Sequence, residues 1–471
     1  MNRMHDFDRE PQARTSGLAI AGFVIAIVGL ALCWFPFLGW IGTVGMIMGI
    51  VVIRSRQGDG VPQKKGLAIA AVVMGSVATL GAILWLVVMA MIASSPRKSS
   101  CPHLYSHNGQ QYVIDADPLS GSLFKGAEST DFDRLEDLVA VNGEYRLKLI
   151  NERDERDFVD FLSIFWVDHP KGTEVLPTAI GTLMRLGQPA EAKDARDGRG
   201  RDIRAALQSA DSVLFGSRIE DFSEKVERPR ETLTLRFPRP PLAAGESLTL
   251  LLRARNTEFG AEAFAKYLAT MGTGLSKLLQ WAQSDTGYPY KKRLADEMKR
   301  LGLMLEVEAW DGKRWKLVHQ QQPIGPAVLR SVAIPLSTFD PESDELRIRL
   351  RHAPLLWTLD RAAVAAGREV NGNELRPSVM TGDTEELRRL GSIDRERLKL
   401  LRNEFVELRF SAPPPPATTM QRTNVLKIRG YYEIDVGGRG LLNLLPLWRH
   451  HTGEDSFVRF ALELARDKDA S

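Results

Sequence analysis

The chain has 471 residues, 44% of them apolar, with 62 Lys plus Arg against 59 Asp plus Glu and a formal net charge of +3. That length holds two or three domains, the near-balance of charge leaves no nucleic-acid footprint, and the two cysteines, Cys33 and Cys101, are too few for a disulfide framework. They read as free thiols.

The charge is unevenly placed, because seven basic and four acidic residues precede Ser95, leaving 62 − 7 = 55 and 59 − 4 = 55 beyond it. Met1–Ser16 is polar and mixed in sign, which predicts a disordered cytoplasmic tail over 1–16. Three uncharged apolar runs follow, Gly17–Trp34, Leu38–Ile53 and Gly66–Ala93. A spanning helix needs ~20 apolar residues for a ~30 Å hydrocarbon core, so the first and third are long enough and the second either spans or re-enters. Three runs in succession argue against a cleaved signal peptide. The expectation is a three-helix membrane domain over 17–93, a transmembrane helical hairpin plus a third helix, with the lipid bilayer as partner. Pro36 breaks the first turn, Trp34 and Trp40 suit an interface, and the loop Arg54–Lys65 carries four basic residues and one acid. Positive charge is retained inside. This predicts a multi-pass protein of the bacterial cytoplasmic membrane, N-terminus inside and C-terminal region outside.

Gly17-Leu18-Ala19-Ile20-Ala21 recurs as Gly66-Leu67-Ala68-Ile69-Ala70, and Gly45 and Gly49 have GxxxG spacing. Small residues let helices approach closely, either within the chain or between copies, so an oligomer through the Gly45/Gly49 face is an alternative. The Gly-Leu-Ala-Ile-Ala helix, the short helix ending in Arg-x-Arg and the Lys-Gly-Leu-Ala-Ile-Ala helix together resemble the DUF4190 family of small bacterial membrane domains over Ser16–Ala93. The resemblance implies membrane location and no activity.

After a linker over 94–100 the pattern changes to short β-type runs. Asn108-Gly109 between apolar residues is a strong hairpin signal, Tyr145-Arg146-Leu147-Lys148-Leu149 alternates with period two, and Phe158–Val167 is a long apolar run. The same signs return in order: Asp311-Gly312 as a second turn, and Glu345–Leu350 mirroring Glu144–Leu149. Trp357-Thr358-Leu359-Asp360 parallels Trp166-Val167-Asp168, and Leu408-Arg409-Phe410 with Pro413-Pro414 matches Leu235-Arg236-Phe237 with Pro240-Pro241. These coincidences point to a duplicated β unit. The expected C-terminal fold is α+β, mainly antiparallel β and sandwich-like, with a first β-rich domain over 101–256, a helical insert over 257–301, a second β-rich domain over 302–449, and a C-terminal helix and tail over 450–471. Stripes at Phe264, Tyr267, Leu268, Met271, then Leu275, Leu278, Leu279, Ala282, then Leu294, Met298, Leu301 carry the insert. Ala190–Arg204 reads as an exposed loop, Thr384–Leu401 as a second helical excursion, and Phe457, Phe460, Ala461 and Leu464 as a closing helix. Cys101-Pro-x-x-Tyr with the Arg-Phe-x-x-Pro-Pro strand and Gly430-Tyr431-Tyr432 also resembles uncharacterised bacterial extracytoplasmic β-rich proteins, which implies no function.

No phosphate loop, His-Glu-x-x-His or Gly-x-Ser-x-Gly motif is present, and no cofactor is expected. Cys101, His103 and His107 have zinc-type donors without an evident fourth, and Gly437–Gly440 and His450-His451 carry no pattern. Candidate metal-binding carboxylates are Asp115, Asp117, Asp131 and Asp133, whose other reading is solvated loop acids. Candidate ligand-binding residues are Trp166, Asp168, Trp357 and Asp360, whose other reading is core aromatics with capping acids. The expected role is a membrane-anchored extracytoplasmic binding or scaffolding protein of the cell envelope with no catalytic mechanism, its partner an envelope protein or polysaccharide. A hydrolase or Ca-dependent protein using the Asp115/Asp117 loops is one alternative, and a ligand-sensing membrane regulator is another.

Overall fold

The computed structural model describes residues 17–31, 41–54, 66–93, 102–153, 155–222, 229–270, 296–380, 384–434 and 454–469. The chain divides into two units, Met1–Pro96 and Arg97–Ser471.

The first unit packs three helices, α1 (Gly17–Ala31), α2 (Ile41–Arg54) and α3 (Gly66–Ala93). Small residues set their spacing. A Cβ at Gly45 would lie 2.7 Å from Ala26 N, one at Gly49 2.7 Å from Ala68 O, and one at Gly75 2.5 Å from Gly42 O. The Gly45/Gly49 face is thus filled by α1 and α3 of the same chain, and Thr43 meets Thr79 at 2.9 Å across α2 and α3. Val44, Ile47 and Val51 of α2 and Val73 and Val77 of α3 face outward. One expectation is corrected here. At ~1.5 Å per residue the 15 and 14 residues of α1 and α2 fall short of the ~30 Å core, and the side chains of α3 are described through Gly81. Among the described residues no helix is long and apolar enough to cross a membrane. The transmembrane hairpin with its third helix, and the multi-pass location in the cytoplasmic membrane, are therefore not what the structure shows.

The second unit is built almost wholly of antiparallel strands. In chain order they begin with β1 (His103–His107), β2 (Tyr112–Ala116), β3 (Ser129–Leu135), β4 (Glu144–Ile150), β5 (Glu155–Pro170), β6 (Glu174–Pro177) and β7 (Leu183–Leu186). Next come β8 (Ala190–Glu191), β9 (Asp194–Arg196), β10 (Phe215–Gly216), β11 (Glu231–Pro238) and β12 (Ser247–Asn256), then α4 (Glu258–Ala269). After it run β13 (Leu305–Trp310), β14 (Trp315–Gln321), β15 (Arg330–Pro335), β16 (Glu345–His352) and β17 (Trp357–Val370). The last group is β18 (Asn373–Leu375), β19 (Val379–Met380), α5 (Thr384–Arg389), β20 (Leu398–Leu400), β21 (Phe405–Ser411), β22 (Met420–Ile434) and α6 (Ser456–Asp469). The expected exposed loop Ala190–Arg204 contains two of these short strands, and Thr384–Leu401 forms one short helix followed by β20. The insert's described parts are α4, N-capped by Thr257 Oγ1 accepting from Gly260 N at 2.9 Å, and a turn of helix over 296–301; the stripe Leu275–Ala282 lies outside the described residues.

Among the described residues four sheets result: sheet I in the order β19-β21-β4-β1-β2, sheet II β18-β5-β22-β3 with β20 on β5, sheet III β15-β12-β17-β7-β6 with β8 and β10 on β17, and sheet IV β14-β13-β16-β11-β9. Period-two alternation puts one face of each strand inward. Sheets I and II share a core of Leu104, Leu147, Leu149, Leu408 and Phe410 against Val159, Leu162, Ile164, Leu426 and Ile428. Sheets III and IV share another, in which Leu235, Phe237, Val307 and Ile348 meet Leu250, Leu252, Val332 and Val364, and Tyr267 and Phe457 bring α4 and α6 onto it. The β6–β7 hairpin adds Val175 and Leu183 to Val167 and Val425 on the outer side of sheet II.

The two sandwiches repeat each other to the residue. Sheet I read β19-β21-β4-β1-β2 corresponds to sheet IV read β9-β11-β16-β13-β14. Leu408 stands opposite Leu147 as Leu235 stands opposite Ile348. The β1–β2 ladder shifts register between Leu104 and Tyr105, and the β13–β14 ladder between Val307 and Glu308. Those two bulges are equivalent, since Leu104 opposes Leu149 and Val307 opposes Leu350. Gly109 and Gly312 close the paired turns at φ 96° and 93°, a region only glycine enters readily. The bulge at Arg429/Gly430 on β22 likewise matches that at Arg253/Ala254 on β12. In chain terms β1–β5 and β8–β12 form one repeat and β13–β17 and β18–β22 the other, with β6–β7 as an added hairpin. Each sandwich takes five strands from each repeat. The stretches 101–256 and 302–449 are thus joined by exchanged strands, and β5–β22 and β12–β17 are long pairings between them.

Candidate functional site

The acidic residues singled out from sequence do gather, around a residue the sequence reading missed. Arg330, 5% exposed at the start of β15, donates from Nη1 and Nη2 to Asp131 at 3.2 and 2.8 Å and to Phe132 O at 2.8 Å, while its Nε lies 3.0 Å from Asp133 Oδ2. Asp117 Oδ2 accepts from Ala327 N at 2.9 Å, and Asp115 accepts from Glu136 N and Asp137 N at 2.9 and 3.1 Å. One guanidinium therefore faces an excess of carboxyl groups. Burial, against the pull of Arg330 and with added repulsion from Asp131, Asp115 and Asp117, pushes the Asp133 carboxyl up to about 8, and burial pushes Asp115 up to about 6. The cluster clasps β3 of one sandwich to β15, the equivalent strand of the other. Among the described residues no group of three or more His, Cys, Asp or Glu side chains is placed to hold a metal ion. His103 Nδ1 pairs with Glu152 at 2.7 Å and His107 Nδ1 accepts from Gly109 N at 3.1 Å; Cys33, Cys101, Gly437–Gly440, His450 and His451 lie outside the described residues.

The two tryptophan–aspartate pairs are not equivalent. Arg422 binds Asp168 through two bonds of 2.7 and 2.8 Å and lies 4.4 Å over the Trp166 ring. Trp357 is fully buried, its Nε1 donating to Leu303 O at 3.3 Å. By register the partner of Asp360 is Asp160: Asp360 Oδ2 meets Arg253 Nε at 2.9 Å and Oδ1 accepts from Ser212 N at 2.8 Å, while Asp160 meets Arg429 Nε at 3.3 Å and Arg395 N at 2.7 Å. Both fix a β-bulge. Replacing Trp357 by Phe removes one buried hydrogen bond and part of the ring, so unfolding free energy measured by urea titration should fall by ~1–2 kcal/mol.

A cavity of about 320 Å³ opens at one end of sheet IV, lined by Arg230, Asp296, Lys299, Arg300, Glu306, Arg351, Glu454 and Asp455. Its walls come from β13, β16, the residue before β11, the 296–301 turn of helix and the residues leading into α6. Arg230 is fixed by donating to Gly302 O at 3.1 Å and by an ion pair with Asp455. Arg351 is held loosely, 3.7 Å from Glu306 and 3.9 Å from Glu308. Behind it His352 is fully buried, its Nδ1 donating to Ala353 O at 2.9 Å. Burial, aided by Arg230, lowers its pKa to about 4 and keeps the ring neutral.

No family model, curated protein or solved structure matches this chain. The DUF4190 resemblance expected for the helical segment therefore has no support from a family model, and the cavity and the Arg330 cluster belong to the β unit. Sequence reasoning passed over the cavity because its eight residues are scattered from Arg230 to Asp455. The one available signal was the alternation Arg347, Arg349, Arg351, which places three guanidinium groups on one face of β16.

Proposed function

We propose that this chain is a non-catalytic binding protein whose ligand is a small zwitterion, such as an amino acid or short peptide, seated in the charged cavity. The observation that carries this reading is the wall itself: four cations and four carboxylates, no net charge, and about 320 Å³, room for a molecule with both an ammonium and a carboxylate. Arg351 and Lys299 are the cations left to recognise a carboxylate, since Arg230 is committed to Asp455 and Arg300 to Glu297. The hydrolase alternative is disfavoured by the engagement of Asp115 and Asp117 with backbone N–H groups. Melting of the full chain with millimolar glycine, L-glutamate, L-lysine or succinate tests it. A zwitterion should raise Tm, as a ligand binding only the native state does by mass action. Arg351→Ala should weaken that binding about ten-fold. Stabilisation by succinate alone, or by no member of the panel, would exclude the zwitterion reading.

A further inference from the structure

Arginine stands directly opposite arginine in both sandwiches, at equivalent registers: Arg409 with Arg146 in sheet I, and Arg236 with Arg347 in sheet IV. Like charges directly opposite on adjacent strands are destabilising, with side chains only ~4.5–5.5 Å apart at Cβ. All four side chains face away from the cores, since their strand neighbours Tyr145, Leu147, Leu408, Phe410, Leu235, Phe237, Leu346 and Ile348 are the buried ones. Compensation is slight. Arg146 has Glu144 at 3.4 Å and Arg236 has Asp194 at 4.0 Å; among the described residues Arg347 and Arg409 have no acidic partner within salt-bridge distance.

The hairpin beside each pair supplies aromatic rings. His107 and Tyr112 meet edge to face at 5.3 Å at the end of β1–β2, and Trp310 and Trp315 at 5.5 Å at the end of β13–β14. Trp310 follows Ala309, which opposes Ile348, so it shares the outward face of Arg347. Arg349, next on that face, lies 4.7 Å over the Trp315 ring. The paired arginines and flanking rings persist, and departures from local stability rules fall where function requires them.

We propose that these are two equivalent binding sites for carboxylated sugar residues of an acidic polysaccharide, one on the outer face of sheet I and one on that of sheet IV. Two guanidinium groups from adjacent strands take one carboxylate by charge-assisted hydrogen bonds, and the neighbouring ring takes the flat C–H face of the pyranose. The chain beyond Ser95 has no net charge (55 basic, 55 acidic), so the paired arginines are not part of an overall basic chain. That suits a singly charged residue on a spaced backbone better than the dense charge of a nucleic acid.

The inference goes beyond the cavity and uses different residues. Full-length protein is titrated with polygalacturonate, poly-L-glutamate and neutral dextran at low and moderate salt. Polygalacturonate should bind with salt-sensitive affinity and dextran should not. Poly-L-glutamate binding as tightly would overturn the saccharide assignment, because the rings would then contribute nothing. Arg347→Gln and Arg146→Gln should each weaken polygalacturonate several-fold, and the double variant about ten-fold or more, while Tm stays level or rises as repulsion is relieved. Arg347→Lys keeps the charge but loses the planar fork and should bind between wild type and Arg347→Gln. Unchanged affinity in the double variant, or a fall of several degrees in its Tm, would overturn the proposal. Arg351→Ala should leave polygalacturonate affinity as it was, so failure of the cavity reading is separately visible.

Discussion

Arg330→Met is expected to cost ~3–5 kcal/mol of unfolding free energy at pH 8, the penalty for removing one partner of a buried ion pair, and distinctly less at pH 5. Methionine keeps an unbranched apolar stem in place of the arginine's and drops the guanidinium, so the lost charge is the main term. What it leaves behind is Asp131 and Asp133 without their counter-charge. The pH dependence follows from the carboxyls that surround it. Asp133 is raised to about 8 and Asp115 to about 6, so the folded protein binds protons there that the unfolded chain, with ordinary carboxyls, releases near pH 4. Stability from these groups is present at low pH and is lost as pH rises from about 4 through 8. Asp133→Asn, which keeps the shape of the protonated acid, should therefore flatten that slope and leave the protein as stable or more stable at pH 8. In the Arg330→Met background the same change should recover part of the loss, a coupling of contacting residues. Denaturant melts of the four proteins at pH 5 and 8 decide it. A cost below ~1 kcal/mol for Arg330→Met at pH 8, in the range of ordinary surface changes, would show that the clasp between β3 and β15 contributes little.

Much of the β architecture was legible in local chemistry. Asn108-Gly109 and Asp311-Gly312 each form the expected turn, with the Asn108 or Asp311 side chain accepting from backbone N–H groups two and three residues on, at 2.8–3.0 Å. The alternation in Glu144–Leu149 and Glu345–Leu350 placed Leu147, Leu149, Ile348 and Leu350 in cores. The ordered resemblances between the two stretches are matched by register. Partner choice was not legible, because a period-two pattern says which face is buried and not which strand lies alongside. Phe158–Val167 reads as a strand either way; that it pairs with β22, from the other repeat, is set by contacts across most of the chain. Arg330 was invisible for the same reason, being 199 positions from Asp131. The Trp166/Asp168 parallel with Trp357/Asp360 failed on spacing, Trp-x-Asp against Trp-x-x-Asp, and register pairs Asp360 with Asp160. The membrane expectation read from the uncharged runs is overturned because among the described residues no helix is long and apolar enough to cross a membrane.

Cutting the chain within 271–295, outside the described residues, should yield two halves that fold only together. The fragment 97–283 carries β1–β12 and the fragment 284–471 carries β13–β22, so every one of the four sheets is severed. Fragment 97–283 keeps β5 without β22 and β12 without β17, and its inward-facing Val159, Leu162, Ile164, Leu250 and Leu252 lose the opposite halves of both cores. The loss exceeds the ~5–15 kcal/mol by which a typical domain is stable at all. Each fragment alone should show no cooperative melt and should expose long unpaired strand edges, a route to aggregation. Co-expressed, they should purify as one complex of one copy each, with the circular-dichroism signature and near-wild-type melting profile of the intact chain. A nested arrangement, in which the middle of the chain is an independent domain inserted into an outer one, predicts another pattern of fragments: 174–370 would fold alone and the joined flanks would fold without it. The β6–β7 hairpin argues against that independence, because Val175 and Leu183 are buried against Val167 and Val425 of the other sandwich, as Arg330 is against Asp131 and Asp133. A monomeric, cooperatively melting 97–283 would mean that the exchanged strands do not bind the two repeats into one folding unit, whereas a fully stable 174–370, which holds every strand of sheets III and IV, would mean that each sandwich folds by itself.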